Sequence, residues 1–125
     1  AGAAILNDVG GLRADPGMAA VARHAAGLIL MAREERPGGS GSIAMVRGLL
    51  RRSLAVAAGH GIAAERIVLD PGVGFFRHCR IPWHAVDAGI LRRLASLSDL
   101  GRPLLVGVSR KSFLGHLAGR PDVDD

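Results

Sequence analysis

Four short apolar runs, each ending in polar or unusual residues and each followed by a helix-like stretch, constrain this chain more than any other feature. They are residues 3–6, Leu28–Met31, Ile67–Leu69 and Leu104–Val106. None shows the alternation of a half-exposed strand, so they predict strands buried on both faces, as in a parallel sheet. Asp15 and Pro16 supply an N-cap and a first-turn proline for a helix through Ala19, Val21, Ala22 and Ala25, with Gly27 as its stop. Ser42 caps a second helix, from Ile43 to about Ala58; two more run from about Ala85 to Leu97 and from Lys111 to Leu117. The repeat, about 30–40 residues, is that of a βα unit. Two α/β architectures accept it: an open doubly wound sheet, or part of a (β/α)8 barrel, which needs about 250 residues when whole. The chain starts on a strand without Met and ends in a polar segment at 121–125. Those ends favour the barrel. The expectation is about four βα units, with residues 1–125 forming part of one barrel domain truncated at both ends.

Charge narrows the ligand. The net charge is +5, from 16 Lys and Arg against 11 Asp and Glu, and Lys111 is the one lysine. Aromatic residues are 3% with no Tyr, so the stacking platforms that hold single-stranded nucleic acid are missing. The arginines are also dispersed, which points to a small anionic ligand and not to nucleic acid. The longest apolar stretch is far below the roughly 20 residues that span a bilayer, and no basic-then-apolar leader opens the chain. One cysteine, Cys79, excludes an internal disulfide. These features predict a cytoplasmic chain without membrane contact.

In either architecture ligands bind at the carboxyl ends of the strands. There the sequence places Asn7 and Asp8, then Met31 followed by Arg33, Glu34, Glu35 and Arg36. The third run ends in Asp70 and Pro71-Gly72-Val73-Gly74-Phe75-Phe76-Arg77, the fourth in Gly107, Ser109, Arg110, Lys111 and Ser112. The opposite ends are bland. Asn7 and Asp8 either cap a turn or face a ligand, and Met31 either fills the core or lines a slot. Asp70 either caps the loop or accepts ligand N–H groups; a carboxylate there is partly buried and needs donors. Gly72 and Gly74 permit positive φ and close backbone approach, but they do not form a dinucleotide fingerprint. The basic helix start near Lys111 reads as an anion site. His78 and His84 show no metal spacing, His116 reads as incidental, and Cys79 lacks the partners of a nucleophile.

Taken together, Ile5-Leu6-Asn7-Asp8-Val9, Leu28–Met31, Leu69-Asp70-Pro71-Gly72-Val73-Gly74-Phe75 and Leu105-Val106-Gly107-Val108-Ser109-Arg110-Lys111-Ser112-Phe113 resemble dihydropteroate synthase in order and spacing, over nearly the whole chain. The resemblance implies a (β/α)8 barrel that condenses 6-hydroxymethyl-7,8-dihydropterin pyrophosphate with p-aminobenzoate, releasing pyrophosphate, in folate biosynthesis. It implies that Asp70 and Lys111 are the catalytic groups. Asn7, Met31, Asp70, Gly107 and Lys111 would bind the pterin; Phe75, Arg77 and Ser112 would lie on the p-aminobenzoate or anion side. It implies Mg2+ with its ligand outside this segment, a possible homodimer, and a central to carboxyl-terminal piece that is inactive alone.

Three departures accompany it. Ala32-Arg33-Glu34 replaces the family's usual His-Met and Gly after the second strand, Phe76-Arg77 replaces its Gly-Lys, and His78–Asp87, with Pro82-Trp83, is longer than common. The rival readings are a methyltetrahydrofolate-type methyltransferase domain, a non-catalytic pterin-binding remnant, and a phosphosugar barrel enzyme. The last lacks the Asp-Pro-Gly-x-Gly-Phe segment.

Overall fold

The computed structural model describes residues 2–108 and 112–120. In chain order these form β1 (Ile5–Asp8), α1 (Met18–Ala22), β2 (Gly27–Met31), α2 (Ile43–Gly59), β3 (Ile67–Asp70), α3 (Trp83–Arg92) and α4 (Ser112–Leu117). Short 3-10 segments cover Ala64–Arg66 and Leu94–Leu100. All three strands are parallel and lie in the order β1-β2-β3. Leu104 extends the sheet by one parallel bridge to Leu69.

Strand order equal to chain order, continued to a fourth segment by the Leu104 bridge, favours the barrel over the doubly wound sheet. A doubly wound sheet reverses direction at a switch point. Right-handed crossovers that always step the same way put every helix on one face, the arrangement of a barrel wall. On that face Leu28, Leu30, Ile67 and Leu69 are buried with Val46, Leu50, Val86, Ile90 and Phe113. Among the described residues the opposite face is largely open, with Met31 buried at its carboxyl end. Strand burial therefore alternates, with Ile5 and Asn7 exposed and Val68 and Asp70 half-buried, against the expectation of burial on both faces. The continuous apolar runs suit a barrel wall whose inner side is not packed in these residues; Ile5 is 62% and Leu105 39% exposed there.

The helix boundaries show which local signals won. Ser42 caps α2 as expected, its Oγ accepting the Met45 N–H at 3.2 Å. Asp15 does not cap α1. It accepts the Gly17 N–H at 2.8 Å in a turn, and Gly17 is the N-cap. Gly27 does not stop that helix but opens β2, because the Ala26 and Gly27 N–H groups both donate to Ala4 O at the sheet edge. The third helix starts two residues early, at Trp83, and passes into the 3-10 segment at Leu94. The fourth run makes a bridge in place of a full strand. Its link is Leu69 N–H to Pro103 O at 2.9 Å and Leu105 N–H to Leu69 O at 2.8 Å. With a neighbour on one side only, and a proline that has no N–H, little more pairing is available. No helix of the described residues is long and apolar enough to cross a membrane.

The loops at the carboxyl ends of the strands are tied to one another and to α2. After β1, Arg13 donates through Nε to Ser53 Oγ at 3.0 Å and pairs with Glu35, which also takes Arg52 at 3.1 Å. Burial pushes the Glu35 carboxyl up, but the Arg13 hydrogen bond and the charges of Arg13 and Arg52 outweigh it and hold it below its ordinary 4.5. A carboxyl lowered on folding stabilises the fold above its ordinary value, and that stability is lost as pH falls through the folded one. Glu35→Gln is thus expected to lower the unfolding free energy read by urea denaturation at neutral pH, by less than about 1 kcal/mol for so exposed a pair. The difference should vanish in acid, and a difference that persists there would mean the effect is not the carboxylate's charge.

Candidate active site

The register of the sheet places the predicted pterin-side residues. Met31 is the cross-strand partner of Asp70, and Asn7 that of Ile29. Because side chains alternate, Asn7, Met31 and Asp70 share the open face, toward the carboxyl ends of the strands. Standard strand spacings put the Asn7 and Asp70 Cα atoms roughly 12 Å apart. Met31 is buried between them, yet it stands outside the main core cluster, as a floor residue would.

Asn7 and Asp8 resolve differently although adjacent. Asp8 turns inward and its two oxygens accept the Gly10 N–H at 2.9 Å and the Leu12 N–H at 2.6 Å. That holds the turn in which Leu12, a non-glycine, has φ +61°. Asn7 is exposed on the open face. The turn-capping reading thus fits Asp8, and the ligand-facing one fits the position of Asn7.

Asp70 Oδ1 accepts the Gly72 N–H of its own loop at 2.8 Å. A carboxylate offers about four acceptor positions, enough to hold a loop amide and to receive ligand N–H groups as well. Gly72 has φ +77°, and Ala32 O lies 2.0 Å from where a Cβ would stand, so no other residue fits there. The same contact region joins β2 to β3, with the Ala32 N–H donating to Asp70 O at 2.8 Å.

Further along, Phe75 is 42% exposed beside a cavity of about 400 Å3, whose lining includes Arg33, Glu34, Arg36, Phe75 and Arg77. This cavity is cationic on balance and does not include Asp70, so the open face and the cavity are neighbouring regions. Glu34 accepts the His78 N–H at 3.2 Å, and main-chain bonds from Gly38 to His78 O and from Arg80 to Gly39 O fasten the two loops together. Arg77 reaches Ser112 Oγ at 3.1 Å, which brings the second-substrate candidates of the third and fourth segments together. Gly107 is exposed beyond the Leu104 bridge. Lys111, with Ser109 and Arg110, lies outside the described residues.

Sequence reasoning missed two features. Asp87 is 1% exposed on α3, and its Oδ1 accepts the Gly74 N–H at 2.8 Å, fixing the glycine loop from behind. The signal was a carboxylate beside Val86 on a helix face that is otherwise apolar. His116, read as incidental, stacks on His84 at 4.1 Å between centroids. Partners so far apart in sequence leave no local pattern. Burial, and then the Glu34 charge, raise the Cys79 thiol above its ordinary value against one backbone hydrogen bond from Gly41, the opposite of what a nucleophilic thiolate needs. Among the described residues no three His, Cys, Asp or Glu side chains gather into a group that could hold a metal ion.

The chain was compared with known proteins. A family model described as pterin binding enzyme matches residues 1–124. A dihydropteroate synthase of Synechocystis sp. is 36% identical over 130 aligned residues, covering 98% of this chain and 43% of that protein. The one from Bacillus subtilis is 33% identical, over 97% of this chain and 41% of its own length. Among solved structures, dihydropteroate synthase from Xanthomonas albilineans in complex with 7,8-dihydropteroate matches with a TM-score of 0.81 and 35% identity, over 95% of this chain and 44% of that one. The chain therefore spans about two fifths of the length of the curated relatives it matches. The matches do not support the expected central to carboxyl-terminal placement. With the chain-ordered parallel sheet, they identify the fold as a partial α/β barrel.

Proposed function

The chain belongs to the pterin binding enzyme family, and from that premise we propose that the protein carrying it is a dihydropteroate synthase, a transferase of folate biosynthesis. Its substrates would be 6-hydroxymethyl-7,8-dihydropterin pyrophosphate and p-aminobenzoate, and its products dihydropteroate and pyrophosphate. The observation that supports this best is the pairing of Met31 with Asp70 across β2 and β3, with Asn7 on the same open face.

On this reading the flat pterin lies over Met31, between Asn7 and Asp70. Asp70 accepts from the pterin amino and ring N–H groups, while its Oδ1 also holds the Gly72 amide. The resemblance adds Gly107 and Lys111 of the fourth segment to the pterin contacts. Phe75 and Ser112 face p-aminobenzoate. The methylene C–O bond to pyrophosphate breaks, leaving positive charge that the pterin ring shares and the Asp70 carboxylate stabilises. The amine nitrogen then forms the C–N bond and loses a proton. No protein nucleophile is needed, which agrees with the raised Cys79 thiol. Mg2+, a cytoplasmic location and a homodimer belong to the same proposal.

The test is an assay of the whole protein that carries this chain, with both substrates and Mg2+. Dihydropteroate formation with stoichiometric pyrophosphate release is expected. Pterin binding without turnover would replace the enzyme with a binding remnant. Methyl transfer from methyltetrahydrofolate to a corrinoid acceptor would replace it with the methyltransferase reading.

A further inference from the structure

Arg77 stands where the sequence suggested a direct anion contact, exposed beside the cavity, but its guanidinium is engaged by protein groups on two sides. Its central carbon lies 4.4 Å from the centroid of the Trp83 ring. Its Nε donates to Gly74 O at 3.1 Å, and its Nη2 donates to Ser112 Oγ at 3.1 Å. Gly74 is thus held at both main-chain groups, its N–H by Asp87 and its carbonyl by Arg77. Trp83 belongs to α3 and Ser112 to α4. The same two helices meet again where His84 stacks on His116 at 4.1 Å, with the Trp83 ring 5.5 Å from His84 and 6.1 Å from His116.

We propose that Arg77 is a positioning residue: clamped on Trp83, it ties the Gly74-Phe75 turn to the start of α4 and so sets Phe75 and Ser112 in one frame. The planar fork of arginine suits the task. It stacks one face on an aromatic ring while donating along its edges in two directions, which a lysine ammonium on a flexible stem does not reproduce. This also accounts for two of the departures in the sequence together. Arg77 and the Pro82-Trp83 stretch are two halves of one contact. For its ligand the inference rests on the synthase reading, since Phe75 and Ser112 were placed there on the p-aminobenzoate side; the clamp itself does not.

The experiment compares Arg77→Gln, Arg77→Lys, Trp83→Leu and the milder Trp83→Phe in the whole protein. It reads amide hydrogen exchange at 112–117 and the dissociation constant for p-aminobenzoate by calorimetry, at low and at high salt. Arg77→Gln and Trp83→Leu are each expected to speed α4 exchange and to weaken p-aminobenzoate by roughly tenfold, alike at both salts, the scale of one charge-assisted hydrogen bond or one cation–π contact. Arg77→Lys and Trp83→Phe should fall between these and the parent. If Arg77 instead touches the anion, Arg77→Gln will lose affinity, most at low salt, while the Trp83 variants bind as the parent does, and the proposal is overturned. Unchanged α4 exchange in Arg77→Gln overturns it as well, whether or not p-aminobenzoate binds. A parent protein that does not bind p-aminobenzoate counts against the synthase reading, and the exchange measurement still decides the clamp. If Trp83→Leu does not fold, Trp83→Phe carries the comparison.

Discussion

Gly72→Ala is expected to lose roughly 2–5 kcal/mol of stability, combining the cost of a left-handed alanine with that of displacing a packed neighbour. The added methyl would stand 2.0 Å from Ala32 O, which is backbone and follows directly on β2, at a φ of +77°. Neither side can yield without shifting the β2–β3 junction, where the Ala32 N–H donates to Asp70 O. Such a shift would also distort the hydrogen bond that the residue 72 N–H donates to Asp70 Oδ1. Against a typical total of about 5–15 kcal/mol, this is enough to bring the fold near its limit. Urea denaturation reads it directly. Gly48→Ala is the control: Gly48 lies inside α2 with nothing within 4 Å of a Cβ, so alanine should stabilise by roughly 0.5–1 kcal/mol. Equal midpoints for the two variants would mean that the turn does not need glycine.

Asp70→Asn separates the two duties of that carboxylate. An amide oxygen can still accept the Gly72 N–H, so the urea midpoint should stay close to that of the parent. The negative charge is gone, and the amide NH2 turns a donor toward ligand N–H groups where an acceptor is required. On the synthase reading, kcat/KM of the whole protein should fall roughly 10²–10³-fold, the usual scale for losing one preorganised electrostatic contact. Near-parent kinetics in a folded Asp70→Asn protein would remove Asp70 from the site. A large loss of stability would instead make it chiefly a loop cap.

Much of this was legible because the carboxyl ends of strands are marked by chemistry as well as by position. Asp70 follows three apolar residues and precedes Pro-Gly, which fixes both the strand end and the turn. Met31 is likewise the last residue of β2. Ser42 worked as a cap because its contact is three residues away. What escaped was decided at longer range. Gly27 opens β2 and does not stop the first helix, because Ala4 O, distant in sequence, takes the Ala26 and Gly27 N–H groups. Alternating burial could not be read from continuous apolar runs, since the pattern records what a strand can bury and not what is packed against it. Asp87, 13 positions beyond Gly74, and the Arg77 contacts with Trp83 and Ser112 depend on how helices pack, which no local spacing encodes.

The agreement between strand order and chain order has a consequence for how such a wall is made. Each strand after the first docks on the edge left by its predecessor, so contacts link near neighbours and loop closure stays short. A chain emerging from the ribosome amino end first can therefore add its βα units one at a time, each laid against a template already in place. Growth of this kind is directional: the edge near Leu104 is the one that advances.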